Sequence, residues 1–555
     1  MATGDNAAIG LVSGLCRNPF SRYVGEILDA EGFTYSWVED RFDGDLLIAP
    51  SLTDTPPLVG EWAAAGKNLL ALRPPPELLP LFGLRSKPGR PLAWSDRYLR
   101  CRDETVLQYH GAADLVQAAG AEVLAWLQFD LDDPPSAHPA IVRLDDGARR
   151  AAFTFDLAQS TLLFRQGRAD QASDGTNPDP DGDEMFKAAD LFVNFLDPRL
   201  KASPQADHQL DLFVALIWWL TEKTAPVPRV WRFPSGQPAA ALMSGDSDGC
   251  AAEGLHLAFD LAQQRHAPYS LYLMTQDFAS LPPGEVADLV QRGHSVGLHS
   301  WCGPRPTTEQ MRCHLAAEYR GFQQRYGYLP TSTRHHSGII AGWTETQEAL
   351  DHIGVRLDLN VFPARQAQWG FVNGSARTMK MCRRDGRLLS IYQHSAVTMD
   401  DCMLQDKTAF PPLSVDQAID LTQHLLAELS GKWHGLYLPC FHPVYLMQPN
   451  AVTLPWYEAT LRLLQDKRIP ALSADEWAAF NDLRRGVRIE KRADAWKVSA
   501  AEAVAGLTIE WPRGAAAARL DGAACPTEAG ACAGVETSRV ILDLGSGGTA
   551  RLEVA

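Results

Sequence analysis

The sequence predicts an α/β protein that ends in a small all-β unit, and three observations carry that prediction. Short strand-like apolar runs alternate with amphipathic helix patterns over residues 1–167, the pattern of a parallel, flavodoxin-like sheet flanked by helices. The alternation resumes over 207–483, a length that suits a distorted (β/α) barrel. From 487 to 555 the helical period stops and short alternating strands follow one another, as in a β-sandwich.

In the first unit, 8–13, 34–38, 46–49 and 68–72 read as strands, with helices at 20–31 and 58–65. Residues 140–167 read as strand, turn and strand, closing the unit. This order and spacing resemble the class I glutamine-amidotransferase-like fold, including its ThuA-like relatives. The reactive cysteine of that family sits in a Gly-x-Cys-x-Gly elbow that this chain lacks, and Cys16 follows the first strand instead. The resemblance therefore implies a scaffold or partner surface rather than a glutaminase.

Residues 168–206 read as a linker and connecting segment. Its first part, RADQASDGTNPDPDGDEMF, is rich in Asp, Gly and Pro but lacks the terminal glutamate of an EF-hand, so a solvated loop is expected. In the barrel region strands are expected at 270–274, 294–299 and 435–439, with helices at 308–326 and 415–429. Beyond 487, runs such as VRIEKR, LTIEWP and RVILDL supply the last strands.

Composition narrows the function classes. The 555 residues carry 51 Lys and Arg against 67 Asp and Glu, a net charge of −16 spread along the chain. Such a surface repels nucleic acid and anionic membrane. The expected partner is a small-molecule or glycan substrate, with a homo-oligomer left open. The start, MATGDNAAIGLVSGL, has no basic n-region, and the apolar stretch LDLFVALIWWL is too short to span a bilayer, so a cytoplasmic location is expected. Ten cysteines without a CxxC pair fit reduced thiols, Cys525 and Cys532 included.

Four stretches carry chemistry. MSGDSDG (243–249) sets Asp246 and Asp248 one residue apart where a strand runs into a turn, and two such carboxylates repel unless something positive lies beside them. GHSVGLHSW (293–301), TRHHSG (333–338) and LPCFHP (438–443) each place histidine at or just beyond the end of an apolar run. Taken alone, the Asp pair would be a solvated turn and each histidine a core residue; His294, His314 and His434 keep that structural reading.

In order, these stretches resemble the NodB-homology polysaccharide deacetylases over roughly half of the chain. The resemblance implies Asp246 as general base, Asp248 and His299 as metal ligands, Arg334 as the residue that steadies the base and His442 as general acid. Two departures stand out. Ser247 is inserted between the acids, and Gly303 occupies the place of the family's second motif histidine. Divergent members with an Arg-x-His pattern fill that place from the histidine after the arginine, which implies His336 as third ligand, with His335 as its competitor. Trp301, Trp343, Asp358, Asn360 and Tyr392 are expected to line a sugar-like pocket or to pack as strand-end residues.

Two imidazoles and a carboxylate suit a divalent transition metal, Zn²⁺ above all, with a position left open. The expected activity is metal-dependent removal of an acyl group, acetyl in the first place, from an amide nitrogen. Two alternatives stand beside it: hydrolysis of small cyclic amides or imides, as in allantoinase-like members of the same barrel family, with or without a metal, and a non-catalytic binding or scaffold protein.

Overall fold

Two nine-stranded sheets form the α/β part of the chain in the computed structural model, which describes residues 7–86, 92–175, 184–224, 226–364, 367–405, 408–447, 452–493, 495–512, 518–532 and 534–554. In the first sheet Tyr35–Val38, Ile9–Val12, Leu46–Ala49, Asn68–Leu72 and Arg149–Phe153 run parallel in that order. Antiparallel strands 139–145, 122–128, 93–101 and 106–114 extend it. The LLIA run at 46–49 is buried throughout, as expected of a parallel strand covered on both faces.

One local expectation is corrected here. The strand–turn–strand reading of 140–167 ends at Phe153, and Leu157–Gln166 is a helix. Asp156 caps it by accepting from the backbone N–H groups of Ala158 and Gln159, and its apolar side chains are buried. The acidic loop is only partly visible, since 176–183 lie outside the described residues. Its flanks are anchored in part: Ser173 and Phe186 are buried and the Ile340 amide donates to the Phe186 carbonyl, while Asp170, Asp174 and Glu184 are exposed.

The second sheet positions the site. Strand Met243–Asp246 lies near its centre, followed on one side by the parallel strands 269–273, 295–298, 332–333, 357–361 and 388–395. On the other side lie the parallel strands 439–441 and 398–399. The central strands approach closely: a Cβ on Gly245 would fall 1.9 Å from the carbonyl oxygen of Phe441. Only glycine fits there.

The sheet is open rather than a closed barrel, because its last strand, Met379–Cys382, turns antiparallel and becomes an edge. That edge is covered by the first unit. The Tyr23 hydroxyl donates to Lys380 O at 2.7 Å, and Glu26 accepts from Lys380 N at 2.7 Å. The Gln166 amide meets both backbone polar groups of Cys382, at 2.7 and 2.9 Å. Side chains thus satisfy groups that would otherwise invite another strand.

Residues 488–554 form two antiparallel sheets, and the upstream pair Arg229–Val230 adds an edge strand to one of them. A single buried apolar cluster runs from Ala8 through Leu357 to Leu552 and joins all three regions. Among the described residues no helix is long and apolar enough to cross a membrane.

Candidate active site

Five polar side chains gather at the carboxyl ends of the parallel strands of the second sheet, where such folds present chemistry. Asp246 ends strand Met243–Asp246, His299 follows Ser295–Leu298, and Arg334 follows Ser332–Thr333. His442 follows Pro439–Phe441, and Asp400 follows Thr398–Met399. The apolar runs hold the strands in the core, and all five polar residues are themselves buried.

The stretch GDSDG solves its charge problem by dividing the acids between different partners. Asp246, almost fully buried, accepts from Arg334 Nη1 at 3.2 Å and from the Cys440 thiol at 3.5 Å. Asp248 Oδ1 lies 3.1 Å from His299 Nε2 and 3.1 Å from His336 Nδ1. Ser247, between them, turns the other way: its hydroxyl donates to Asp277 and accepts from Met274 N–H at 3.0 Å. Asp277 also accepts from Gly249 N–H at 3.0 Å. The backbone at Asp248 is left-handed (φ 43°), a conformation aspartate tolerates better than most residues.

Ligating atoms of Asp248, His299 and His336 all lie within 4.8 Å of one another. Their chemistry fits a divalent transition metal. His299 directs Nδ1 at Arg334 O at 2.7 Å, which keeps the proton on that nitrogen and leaves the Nε2 lone pair toward Asp248. Burial alone would raise the Asp248 carboxyl, but the two imidazoles hold it well below the usual carboxylate range. Burial opposes charge on His299 as well, yet Asp246 and Asp248 raise its pKa above the ordinary imidazole value.

Of the adjacent histidines, only His336 reaches Asp248. His335 is fully buried with Nδ1 at 2.9 Å from Ile339 O, and burial pushes its pKa down to about 4. Gly303, in the left-handed region (φ 84°), has no side chain to offer.

Arg334 is wholly buried and shares its donors among Asp246, Cys440 Sγ (3.0 Å), Ser244 Oγ (2.8 Å) and Leu359 O (3.3 Å). Its Nη1 holds Asp246 Oδ1, while the other donors anchor the guanidinium to the neighbouring strands. Across the cleft, His442 Nε2 stands 3.5 Å from Asp248 Oδ2 and 3.9 Å from Asp246 Oδ2. Its Nδ1 lies 2.6 Å from Asp400 Oδ1, and its backbone N–H donates to Asp400 Oδ2 at 2.8 Å. Burial disfavours the imidazolium, but Asp400 and Asp401 raise the His442 pKa well above its ordinary value. Sequence reasoning missed Asp400. Its signal was the run AVTMDD, another short apolar stretch ending in acids.

The expected pocket residues divide. Trp301, 37% exposed, sets its edge against His336 with ring centroids 4.9 Å apart, so it stands at the mouth of the site. Asn360 accepts from His335 N–H at 2.6 Å and donates to Asp358, buttressing the loop from beneath. Trp343 and Tyr392 are not brought to the cluster. The Trp343 indole donates to Gln166 O against the first unit, and the Tyr392 hydroxyl donates to Asp482 at 2.7 Å. His294 is structural, accepting from Tyr269 N–H at 3.0 Å.

Comparison with family models and with curated proteins finds no match to this chain. Among solved structures it is similar to a protein named as a polysaccharide deacetylase from Mycobacterium smegmatis, at 14% identity over 47% of this chain and 94% of that one, with a TM-score of 0.36. It is also similar to the peptidoglycan deacetylase PdaC from Bacillus subtilis, at 11% identity over 44% of this chain and 93% of that one, with a TM-score of 0.29. A β-galactosidase from Rahnella sp. R3 matches at 16% identity over 27% of this chain and 28% of that one, with a TM-score of 0.23.

Proposed function

We propose that the protein is a metal-dependent hydrolase that removes an acyl group, acetyl in the first place, from the amide nitrogen of a sugar-like substrate. One observation carries the reading. Asp246 lies beside the donor set of Asp248, His299 and His336 but is bound to Arg334 instead, and the His442–Asp400 pair faces it. A base, a donor set and an acid thus surround one point.

A divalent ion such as Zn²⁺, held by Asp248, His299 and His336, would acidify a water and polarise the acyl oxygen. Asp246 takes a proton from the attacking water as the water oxygen forms a bond to the acyl carbon. Arg334 orients the carboxylate through its hydrogen bond. When the C–N bond breaks, His442 delivers a proton to the nitrogen, so the products are a carboxylate and an amine. Asp400 holds the imidazole in the tautomer and orientation this requires. Trp301 offers an apolar face for a sugar ring at the mouth.

The test is acetate release from N-acetylated amino sugars by protein loaded with Zn²⁺ or Co²⁺, with metal content followed by mass spectrometry. Asp246→Asn is expected to keep its metal and lose about 10²–10⁴ in kcat. His336→Ala is expected to lose both metal and activity. Full activity in Asp246→Asn would overturn the assignment of the base, and a wild-type protein that takes up no metal would overturn the reading as a whole.

A further inference from the structure

Away from Asp248, the first region and the middle of the chain meet around a small cavity of about 20 Å³ lined by buried residues. Ala30, Arg232, Arg377, His434, Trp477 and Arg484 are among its walls. Three buried arginines around so small a space are unusual, because a guanidinium leaves water only when its charge is matched.

Four arginines of the surrounding ion-pair network are matched by four carboxylates. Arg229, Arg232, Arg377 and Arg539 form ion pairs with Glu31, Asp207, Asp211 and Glu510. Arg484, 4% exposed, stands outside this set. Its donors meet the carbonyl oxygens of Ala30 (3.0 Å), Val230 (3.3 Å) and Trp231 (3.3 Å), and no carboxylate lies within ion-pair distance among the described residues. Burial, with Arg485 beside it, pushes its pKa down to about 9. Carbonyl dipoles soften that charge but do not cancel it.

His434 adds a second, independent sign. Its Nδ1 lies 3.0 Å from Pro238 O and its Nε2 2.8 Å from Ala531 O. A neutral imidazole has one N–H and satisfies only one of these oxygens, so both contacts together call for the imidazolium. Burial and the neighbouring Arg232 nevertheless push its pKa down to about 4. A negative charge in the cavity would reconcile the geometry with the surroundings. In addition, the Nε atoms of Arg232 and Arg377 are buried without a hydrogen-bond partner.

We infer that this cavity is a binding site for a small monovalent anion, of the chloride class, that offsets the charge of Arg484 where the first region meets the middle of the chain. The volume admits a water-sized species, which suits a small monatomic anion. The bound anion accepts from the guanidinium groups facing it, and helix Ala474–Arg485 is thereby fixed against Arg232 and Arg377.

The experiment uses the full chain. Thermal unfolding is followed in sodium chloride, sodium bromide and sodium gluconate at one ionic strength, and crystals grown in bromide are measured at its absorption edge. Ligand linkage predicts a melting temperature that rises with halide by a few °C, saturates, and does not respond to gluconate. Arg484→Met, which keeps the stem and removes the charge, is expected to abolish the halide response. An anomalous peak between Arg232, Arg377 and Arg484 supports the site even if that variant fails to fold. Identical melting in halide and gluconate, or a cavity without bromide at saturating concentration, would overturn it.

Discussion

Asp400 touches the reacting centre only through His442, and its effect should separate from that of the donor set. Asp400→Asn keeps a hydrogen-bonding side chain but removes the charge that raises the His442 pKa. The expected outcome is a fall of about 10²–10⁴ in kcat with unchanged metal content. Because His442 is proposed to act as an acid, activity declines as pH rises through its pKa. Lowering that pKa moves the alkaline limb of the kcat/KM profile to lower pH, which a pH-rate series on both proteins would reveal. At the neighbouring histidines the outcomes should differ in kind. His336→Ala removes a ligand atom, and metal content should fall with little change in melting temperature. His335→Ala empties a buried site and should lower the melting temperature while leaving one metal per chain. The sequence favoured His336 only through its resemblance to an Arg-x-His pattern, because adjacent side chains on an extended segment point oppositely. Ser337 (φ 55°) and the Ile339 carbonyl settle which ring turns inward, and both belong to the folded turn.

At the scale of elements, the turn after strand Met243–Asp246 owes its shape to a residue from another turn. Ser247 and Gly249 are both tied to Asp277, more than two dozen residues away in a short helical turn after the neighbouring strand. Asp277→Ala should release Asp248 from its left-handed conformation without touching any ligand atom. Losses of outer-shell partners typically weaken metal affinity 10–100-fold. A chelator-competition titration should show a loss of that size, and an unchanged affinity would mean that the turn holds its shape alone. Strands and the acids and imidazoles at their ends were legible because apolar runs and special residues are local signals. Asp277 and Asp400 were not, since their importance lies in what they touch across the sheet. Trp343 and Tyr392 illustrate the reverse case. Their position near strand ends suggested a pocket, but packing drew them toward Gln166 and Asp482 instead.

At the scale of the whole molecule, the boundaries suggested by composition are crossed by buried charge. Glu31 ends a helix of the first region, Arg229 and Arg377 belong to the middle of the chain, and Glu510 lies on a strand near its end. Arg229 Nη1 reaches Glu31 at 2.7 Å, Arg229 Nη2 reaches Glu510 at 2.8 Å, and Arg377 Nη1 reaches Glu31 at 3.0 Å. The apolar cluster beneath them is likewise continuous from Ala8 to Leu552. Surfaces joined in this way cannot separate without exposing paired charges and core side chains together. We therefore expect one calorimetric transition rather than a series of independent ones, and resolved separate peaks would refute this. Arg229→Met removes one partner and leaves Glu31 and Glu510 with fewer counter-charges. Breaking a buried pair in this manner destabilises by about 3–5 kcal/mol, so the transition should stay single and move to lower temperature. The acid limb supplies an internal control. Burial alone would raise the Glu31 pKa, but Arg232, Arg377 and Arg229 hold it well below the ordinary glutamate range. A carboxylate depressed in the folded state contributes stability that is present above its unfolded pKa and lost as pH falls through its folded pKa. Removing Arg229 raises that folded value, so acid unfolding of the variant should begin at higher pH than in the wild type. A variant that melts earlier but keeps the wild-type acid midpoint would mean that Arg229 acts through packing against Trp218 and Trp231 rather than through its charge.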